Sequence, residues 1–461
     1  MTRGRDGRVG LAAERRKPVV PTQHRALLAA IIAAIVALST AIYVSVATGD
    51  GTAGDTPVRG RAPHNSAAPA STGTWVGTWT TSPAAAEPGT ETAGMAGRSV
   101  RNVVHTSVGG TSARITLSNL YGQSPLTVTH ASLALAAGTG TAAAADGTMR
   151  RLTFGGDPTV VIPSGGQVTS DAVRLTVPHD SDVLVTTYSP TPSGPVTYHP
   201  HARQTSYLAE GDHTEDVTAA AYTERTPYWR YLTALDVLSN ESDGTVVVIG
   251  DSLTDGITST ENANRRWPDV LADRLRTAVA TGRDVPRYSV VNQGISGNRI
   301  LTDGLGRPAD NPSGLHRFGR DVLGRPNVRA VVIVLGVNDI LRNPQLADPD
   351  RILDGLRAMT DQAHARGLKV VGATLMPFGG HRGYTPQRET VRQRINAEIR
   401  AGRVFDAVVD FDRALRDPYD PRRLRADYDS GDHLHPSDKG YARMAEVFDL
   451  ADLKGSAPAE L

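Results

Sequence analysis

From Gly244 onward, short continuous apolar runs alternate with longer stretches in which apolar positions recur every three or four residues. The runs are Thr245–Ile249 (TVVVI), Ala330–Leu335 (AVVIVL), Lys369–Leu375 (KVVGATL) and Ala407–Phe411 (AVVDF). Unbroken β-branched runs suit strands buried on both faces of a parallel sheet. Behind Pro268, which fits the first turn of a helix, Leu271, Leu275 and Ala278 keep helical spacing. Thr385 and Pro386 read as N-cap and first helical residue, with Val391, Ile395 and Ile399 on one face. The alternation predicts a doubly wound α/β domain over 241–453, with a short tail at 454–461.

Upstream, over 74–240, the period shortens to two. Ser112–Leu120, Ala172–Pro178 and Asp182–Tyr188 alternate apolar and polar residues. Gly155-Gly156, Gly165-Gly166 and the segment Pro190–Pro195 punctuate them, and Gly138–Gly147 reads as a loop. Short strands with such turns predict an all-β sandwich. No internal repeat is present.

The remaining N-terminal residues divide into three. Residues 1–25 are polar and basic, with Arg3, Arg5, Arg8, Arg15, Arg16, Lys17 and Arg25 against Asp6 and Glu14. Ala26–Thr48 carries no charge and has the length a bilayer core needs, roughly 20 residues. The basic flank predicts a transmembrane anchor with the rest of the chain outside the cell. A signal peptide cleaved near Ser45-Val46-Ala47 is the alternative, and it also exports the protein. Residues 49–73, rich in Gly, Pro, Ala, Ser and Thr, read as a flexible linker.

Composition narrows the classes. A chain of 461 residues suits two folded units plus extensions. A net charge of +1 supplies no field that would recruit nucleic acid. Lys17, Lys369, Lys439 and Lys454 are the only lysines; the arginine excess, beside so much Ala and Gly, reads as GC-rich codon usage. The absence of cysteine excludes disulfides, thiolate zinc sites and a cysteine nucleophile.

Candidate chemistry sits where the apolar runs end. The first run stops at Gly250-Asp251-Ser252-Leu253-Thr254-Asp255-Gly256. Ligands of open α/β sheets bind beyond the carboxyl ends of strands, so Ser252 is placed to meet one. Alone, such a segment is more often a turn. A serine hydroxyl needs a base, and Asp432-His433-Leu434-His435-Pro436 offers one with an acid three residues before it. His433 directly adjoins Asp432 and is the poorer candidate. Oxyanion donors could come from Val290–Asn298 (VVNQGISGN) or from Leu335–Asp339 (LGVND).

These four blocks, in this order, resemble the SGNH (GDSL) hydrolase family. The matching residues are Gly250-Asp251-Ser252-Leu253, then Gly297 in Asn292-Gln293-Gly294-Ile295-Ser296-Gly297, then Asn338 in Gly336-Val337-Asn338-Asp339, then Asp432 with His435. The resemblance implies a flavodoxin-like parallel-sheet domain and a serine carboxylic ester hydrolase. It implies Ser252 as nucleophile, His435 as base and Asp432 as its orienting acid. It implies an oxyanion hole from the N–H groups of Ser252 and Gly297 and the Asn338 side chain, with Gly294 the alternative to Gly297. No metal and no organic cofactor are implied. Trp75-Val76-Gly77-Thr78-Trp79 and Arg114–Asn119 (RITLSN) are similar, more loosely, to jelly-roll-like modules that precede this domain in secreted bacterial members. That implies small-molecule or polysaccharide esters with short acyl groups. Lipid esters, acyl transfer to a surface glycan and a non-catalytic binding role are the alternatives.

Other features take plainer readings. His199-Pro200-His201 reads as a structural loop and not a metal site, since proline intervenes and no acid is near. Trp267 reads as packing. Pro377–Tyr384 reads either as a lid or as an ordinary loop, and Asp303–Pro312 as a border of the site. Arg388, Arg392, Arg394 and Arg400 read as a solvated helix face.

Overall fold

A computed structural model describes residues 73–456. The expected anchor at 26–48 lies outside them, as does the linker before Gly73. Among the described residues, no helix is long and apolar enough to cross a membrane.

The β-rich part forms two principal antiparallel sheets. One orders strands Thr74–Thr80, Leu232–Ser239, Gly110–Ser118 and Val173–Val177, with Gln167–Thr169 also paired to Gly110–Ser118. The other orders Glu224–Thr226, Ser206–Glu210, Arg98–His105, Asp182–Ser189, His130–Leu135 and Arg150–Arg151. Alternation turns Val100, Val104, Leu133, Val183 and Val185 of the second sheet toward Val76, Ile115, Leu117, Leu235 and Val237 of the first, in one buried cluster. Two sheets sharing a core in this way make a sandwich. Its first and last strands lie side by side, with Thr74 opposite Ser239.

Only Asn240–Asp243 separate the sandwich from the second architecture. Here β1 (Gly244–Gly250), β2 (Tyr288–Gly294), β3 (Val328–Val334), β4 (Lys369–Ala373) and β5 (Ala407–Val409) form a five-stranded sheet in the order β2-β1-β3-β4-β5. Every pairing is parallel. Helices α1 (Trp267–Ala280), α2 (Pro349–His364), α3 (Pro386–Arg400) and α4 (Asp438–Glu446) pack on it. In this strand order, connections diverge between β1 and β3, which opens a crevice at their carboxyl ends.

The expected strands and helices are present, α3 with Thr385 accepting from Arg388 N–H as its N-cap. In this sheet and its helices, β2, α2 and α4 lie beyond the expectations. β2 carries a single Val-Val pair because its carboxyl end is the polar Asn292-Gln293-Gly294. In α2, behind the N-cap Asp348, Ile352, Leu356, Met359 and Ala363 repeat at helical spacing and are buried.

One expectation is corrected. Arg394 and Arg400 are exposed, but Arg392 is fully buried. It holds Glu389 at 2.9 and 2.6 Å and Asp412 at 2.8 Å, and donates to Leu375 O at 2.8 Å. Its place beside Val391 on the helix turns it toward the sheet, where only paired carboxylates make burial of the guanidinium tolerable.

Candidate active site

β1 delivers the chain into a single turn of helix, Ser252–Asp255, at the crevice. Asp251 caps that turn, its carboxylate accepting from Leu253 N–H at 3.0 Å. Gly250 must be glycine: a Cβ there would stand 2.0 Å from Thr254 Oγ1. The carbonyl of Gly250 accepts from Arg317 Nη2 at 2.9 Å. Arg317 is fully buried and also donates to Gln293 O, Asn298 Oδ1 and Ser82 Oγ. One guanidinium therefore ties the ends of β1 and β2 to the sandwich.

The loop around His435 meets this turn from the other end of the domain. His435 Nε2 lies 2.8 Å from Ser252 Oγ, and its Nδ1 lies 2.5 Å from Asp432 Oδ2. Asp432 Oδ1 also accepts from the N–H groups of Leu434 and His435, at 3.0 and 2.8 Å. Burial opposes ionisation of Asp432, but the His435 ring and these backbone donors outweigh it and hold the carboxyl below its ordinary range. Nδ1–H thus donates to Asp432, leaving Nε2 as acceptor for the serine proton. His433 turns elsewhere, with its Nδ1 on Asp429 at 2.6 Å.

Three candidate N–H donors border the cleft that holds Ser252. Ser252 N–H belongs to the first turn of the helix, where no intrahelical acceptor exists. Gly297 borders the same cleft at φ +78°, with the Arg342 guanidinium packed where a side chain would stand. Among the described residues its N–H has no acceptor. Gly294 differs: its N–H is occupied by Asn292 Oδ1 at 2.8 Å. Asn338, just beyond β3, donates one amide hydrogen to Asp251 at 3.2 Å, and its Oδ1 accepts from Arg342 Nε at 3.2 Å. The second amide hydrogen is left for the cleft.

The carboxyl of Asp251 is pushed up to about 7, chiefly by burial, with the nearby Asp339 carboxylate adding to it. Asp339 is raised to about 6, again by burial, against the N–H groups of Ile300 and Leu301 that it accepts.

The cleft measures about 560 Å3 and gathers Ser252, Gly297, Asn338 and His435. His381, Arg382 and Gly383 line it, so Pro377–Tyr384 borders the site. Asp303–Pro312 does not. It docks on the sandwich, where Asn311 N–H donates to Ala84 O at 2.7 Å, and supports the glycine loop from behind through Asn311 Nδ2 to Ser296 O at 2.8 Å.

Sequence reasoning missed the part played by His199-Pro200-His201. His201, from the sandwich, lines the cleft. His199 is buried against Asp255, its Nε2 at 2.9 Å from Oδ1. The acid lacking in its sequence neighbourhood comes from the helical turn of Ser252. Among the described residues, no cluster of His, Asp and Glu has the arrangement of a metal site. Trp267 is buried and meets Phe411 edge to face, as a packing residue does.

A constellation of hydroxyl, imidazole, carboxylate and aimed N–H groups can carry out acyl transfer to serine. Residues 248–443 match the GDSL-like lipase/acylhydrolase family. The match begins within β1 and does not reach the sandwich. The chain is similar to a lipase/acylhydrolase from Enterococcus faecalis, at 24% identity over 44% of this chain and 92% of that one, with a TM-score of 0.34. It is similar also to a GDSL-like lipase from Bacteroides thetaiotaomicron, at 22% identity over 44% and 84% of the two chains, TM-score 0.32. A carbohydrate acetylesterase from Sinorhizobium meliloti is 16% identical over 44% and 95%, TM-score 0.34. No curated protein matches the chain.

Proposed function

We propose that the chain is an ester-hydrolysing enzyme that works through Ser252, His435 and Asp432, in keeping with the match of residues 248–443 to the GDSL-like lipase/acylhydrolase family. The observation that carries this reading is the contact of His435 Nε2 with Ser252 Oγ, at 2.8 Å in an open cleft.

Ser252 Oγ attacks the ester carbonyl carbon while His435 Nε2 takes its proton. Negative charge moves to the carbonyl oxygen, where Ser252 N–H, Gly297 N–H and Asn338 Nδ2–H receive it. Asp432 holds the ring and stabilises the imidazolium. The tetrahedral intermediate collapses, the C–O bond to the alcohol breaks, and His435 returns the proton to the departing oxygen. Water, deprotonated by His435, then attacks the acyl-serine, and release of the acid restores Ser252.

Short acyl groups on carbohydrate or related esters are the favoured substrates. Most residues lining the cleft are polar or glycine, with Ile257, Leu341 and Leu434 as the aliphatic ones. A long acyl chain gains about 0.8 kcal/mol for each CH2 buried, and three aliphatic side chains in an open cleft of about 560 Å3 would cover only part of such a chain. Action outside the cell follows from the reading of Ala26–Thr48 as an export segment, retained or cleaved.

The test is hydrolysis of 4-nitrophenyl acetate and its longer-chain homologues by the full chain, beside Ser252→Ala. Loss of activity in a folded Ser252→Ala, by about a thousandfold or more, is expected. Retention of activity would remove Ser252 as nucleophile, and strong preference for long chains would overturn the substrate class.

A further inference from the structure

We propose that the sandwich is a working part of the active site, in which His199 acts through Asp255 to hold the Ser296–Gly297 segment in register with Ser252. The inference rests on the reading of Gly297 N–H as an oxyanion donor.

Four hydrogen bonds make a continuous path from one architecture to the other. His199 ends the short strand Thr197–His199 of the sandwich. Its Nδ1 lies 2.8 Å from Ser82 O and its Nε2 lies 2.9 Å from Asp255 Oδ1. The other oxygen, Asp255 Oδ2, accepts from Ser296 N–H at 2.9 Å and from Ser296 Oγ–H at 2.5 Å. Both ring nitrogens of His199 face oxygens that accept, so both carry hydrogen. The ring thereby neutralises a carboxylate buried to the same degree, with side chains 2% and 4% exposed. Burial alone would drive Asp255 toward its neutral form; His199 and Ser296 outweigh it and keep the carboxyl below its ordinary range.

Position gives this path its consequence. Asp255 is the last residue of the helical turn that Ser252 begins. Ser296 directly precedes Gly297. The carboxylate therefore clamps the glycine loop onto the nucleophile's own turn, and the distance between the two proposed backbone donors depends on it. Asp255 lies in the middle of this path and has no other cation within ion-pair distance among the described residues. Removing His199 leaves a buried charge uncompensated, which either protonates Asp255 or admits water. In both cases the grip on Ser296 loosens, and an oxyanion donor displaced by a fraction of an ångström loses much of its effect.

The experiment uses the full chain with His199→Ala, His199→Gln, Ser296→Ala and the double variant His199→Ala/Ser296→Ala. For each, kcat and KM for 4-nitrophenyl acetate, inhibition by a phenylboronic acid and thermal unfolding are measured. Boronate forms a tetrahedral adduct on serine and so reports the oxyanion hole. His199→Ala is expected to lower kcat about ten- to a hundredfold, a part of what loss of a whole donor costs, with KM changed less than twofold. Boronate affinity should fall in step with kcat. His199→Gln, which can still donate to Asp255, should recover part of the loss. The double variant should be no worse than the poorer single one, because both break the same path. An unchanged kcat in folded His199→Gln and Ser296→Ala would overturn the proposal. So would effects that multiply in the double variant, or a loss carried wholly by KM. If His199→Ala does not fold, His199→Gln and Ser296→Ala decide alone. Ser252→Ala, assayed alongside, separates the two readings: inactive Ser252→Ala with fully active His199 and Ser296 variants defeats the positioning role only, whereas active Ser252→Ala defeats the nucleophile itself.

Discussion

Asn338 Nδ2 lies 3.2 Å from Oδ2 of Asp251, the residue directly before Ser252. The amide that borders the cleft thus shares a hydrogen bond with a carboxyl buried beneath the turn of Ser252, and the protonation of that carboxyl should bear on stability.

Stability should fall from pH 5 to pH 8. The folded-state carboxyl of Asp251 is raised to about 7 and that of Asp339 to about 6, both above the ordinary value near 4. The folded protein therefore holds these protons more tightly than the unfolded chain. Their stabilisation is full below about pH 4 and is lost as pH rises through 6 and 7. Thermal unfolding across this range should show the decline, and Asp251→Asn should flatten it. A curve of unchanged slope in Asp251→Asn would count against the shift.

Arg317 should be among the most costly side chains to remove. It is fully buried and holds Gly250 O, Gln293 O, Asn298 and Ser82 together, and its guanidinium stays charged at neutral pH although burial lowers it to about 10. Arg317→Met leaves Gly250 O and Gln293 O without their donor and the buried Asp321, 3.2 Å from Arg317 Nη1, with Arg320 as its remaining partner; it is expected to cost about 3–5 kcal/mol in denaturant unfolding. A loss below about 1 kcal/mol would show that water replaces the guanidinium.

Asp432→Asn should lower kcat by roughly 10²–10⁴-fold with little change in KM. The amide can present Nδ2–H to His435 Nδ1 and so favour the tautomer that cannot accept from Ser252. Similar kcat in Asp432→Asn and the parent would show that the backbone around His435 orients the ring without the acid.

The charge of the cleft predicts selectivity within one acyl class. Arg342 and Arg382 line it, and no carboxylate does so among the described residues. An acetate ester whose leaving group bears a carboxylate should show a lower KM than its neutral isostere. The advantage should shrink as ionic strength rises from about 0.05 to 0.5 M, since screening shortens the reach of both guanidinium groups. Equal KM values at low salt would rule out recognition of the charge.

Local pattern determined much of this protein. Continuous β-branched runs such as Thr245–Ile249 can be stable only when buried on both faces, and they mark the strands of the parallel sheet before any contact is known. Period-two segments mark the sandwich in the same way, and strand ends followed by glycine and polar residues mark Ser252 and Asn338. Tertiary structure alone decided the rest, because it turns on partners far apart along the chain. Gly297 faces the cleft while Gly294 is held by Asn292. His435 reaches Ser252 from 183 residues away, while His433 turns to Asp429. Arg392 enters the core because Asp412 waits there. His199, read from its neighbours as part of a plain loop, finds its carboxylate 56 residues on in the turn of Ser252. Periodicity reports how each segment meets a core. Which buried charge meets which partner is set only when segments distant along the chain close on each other.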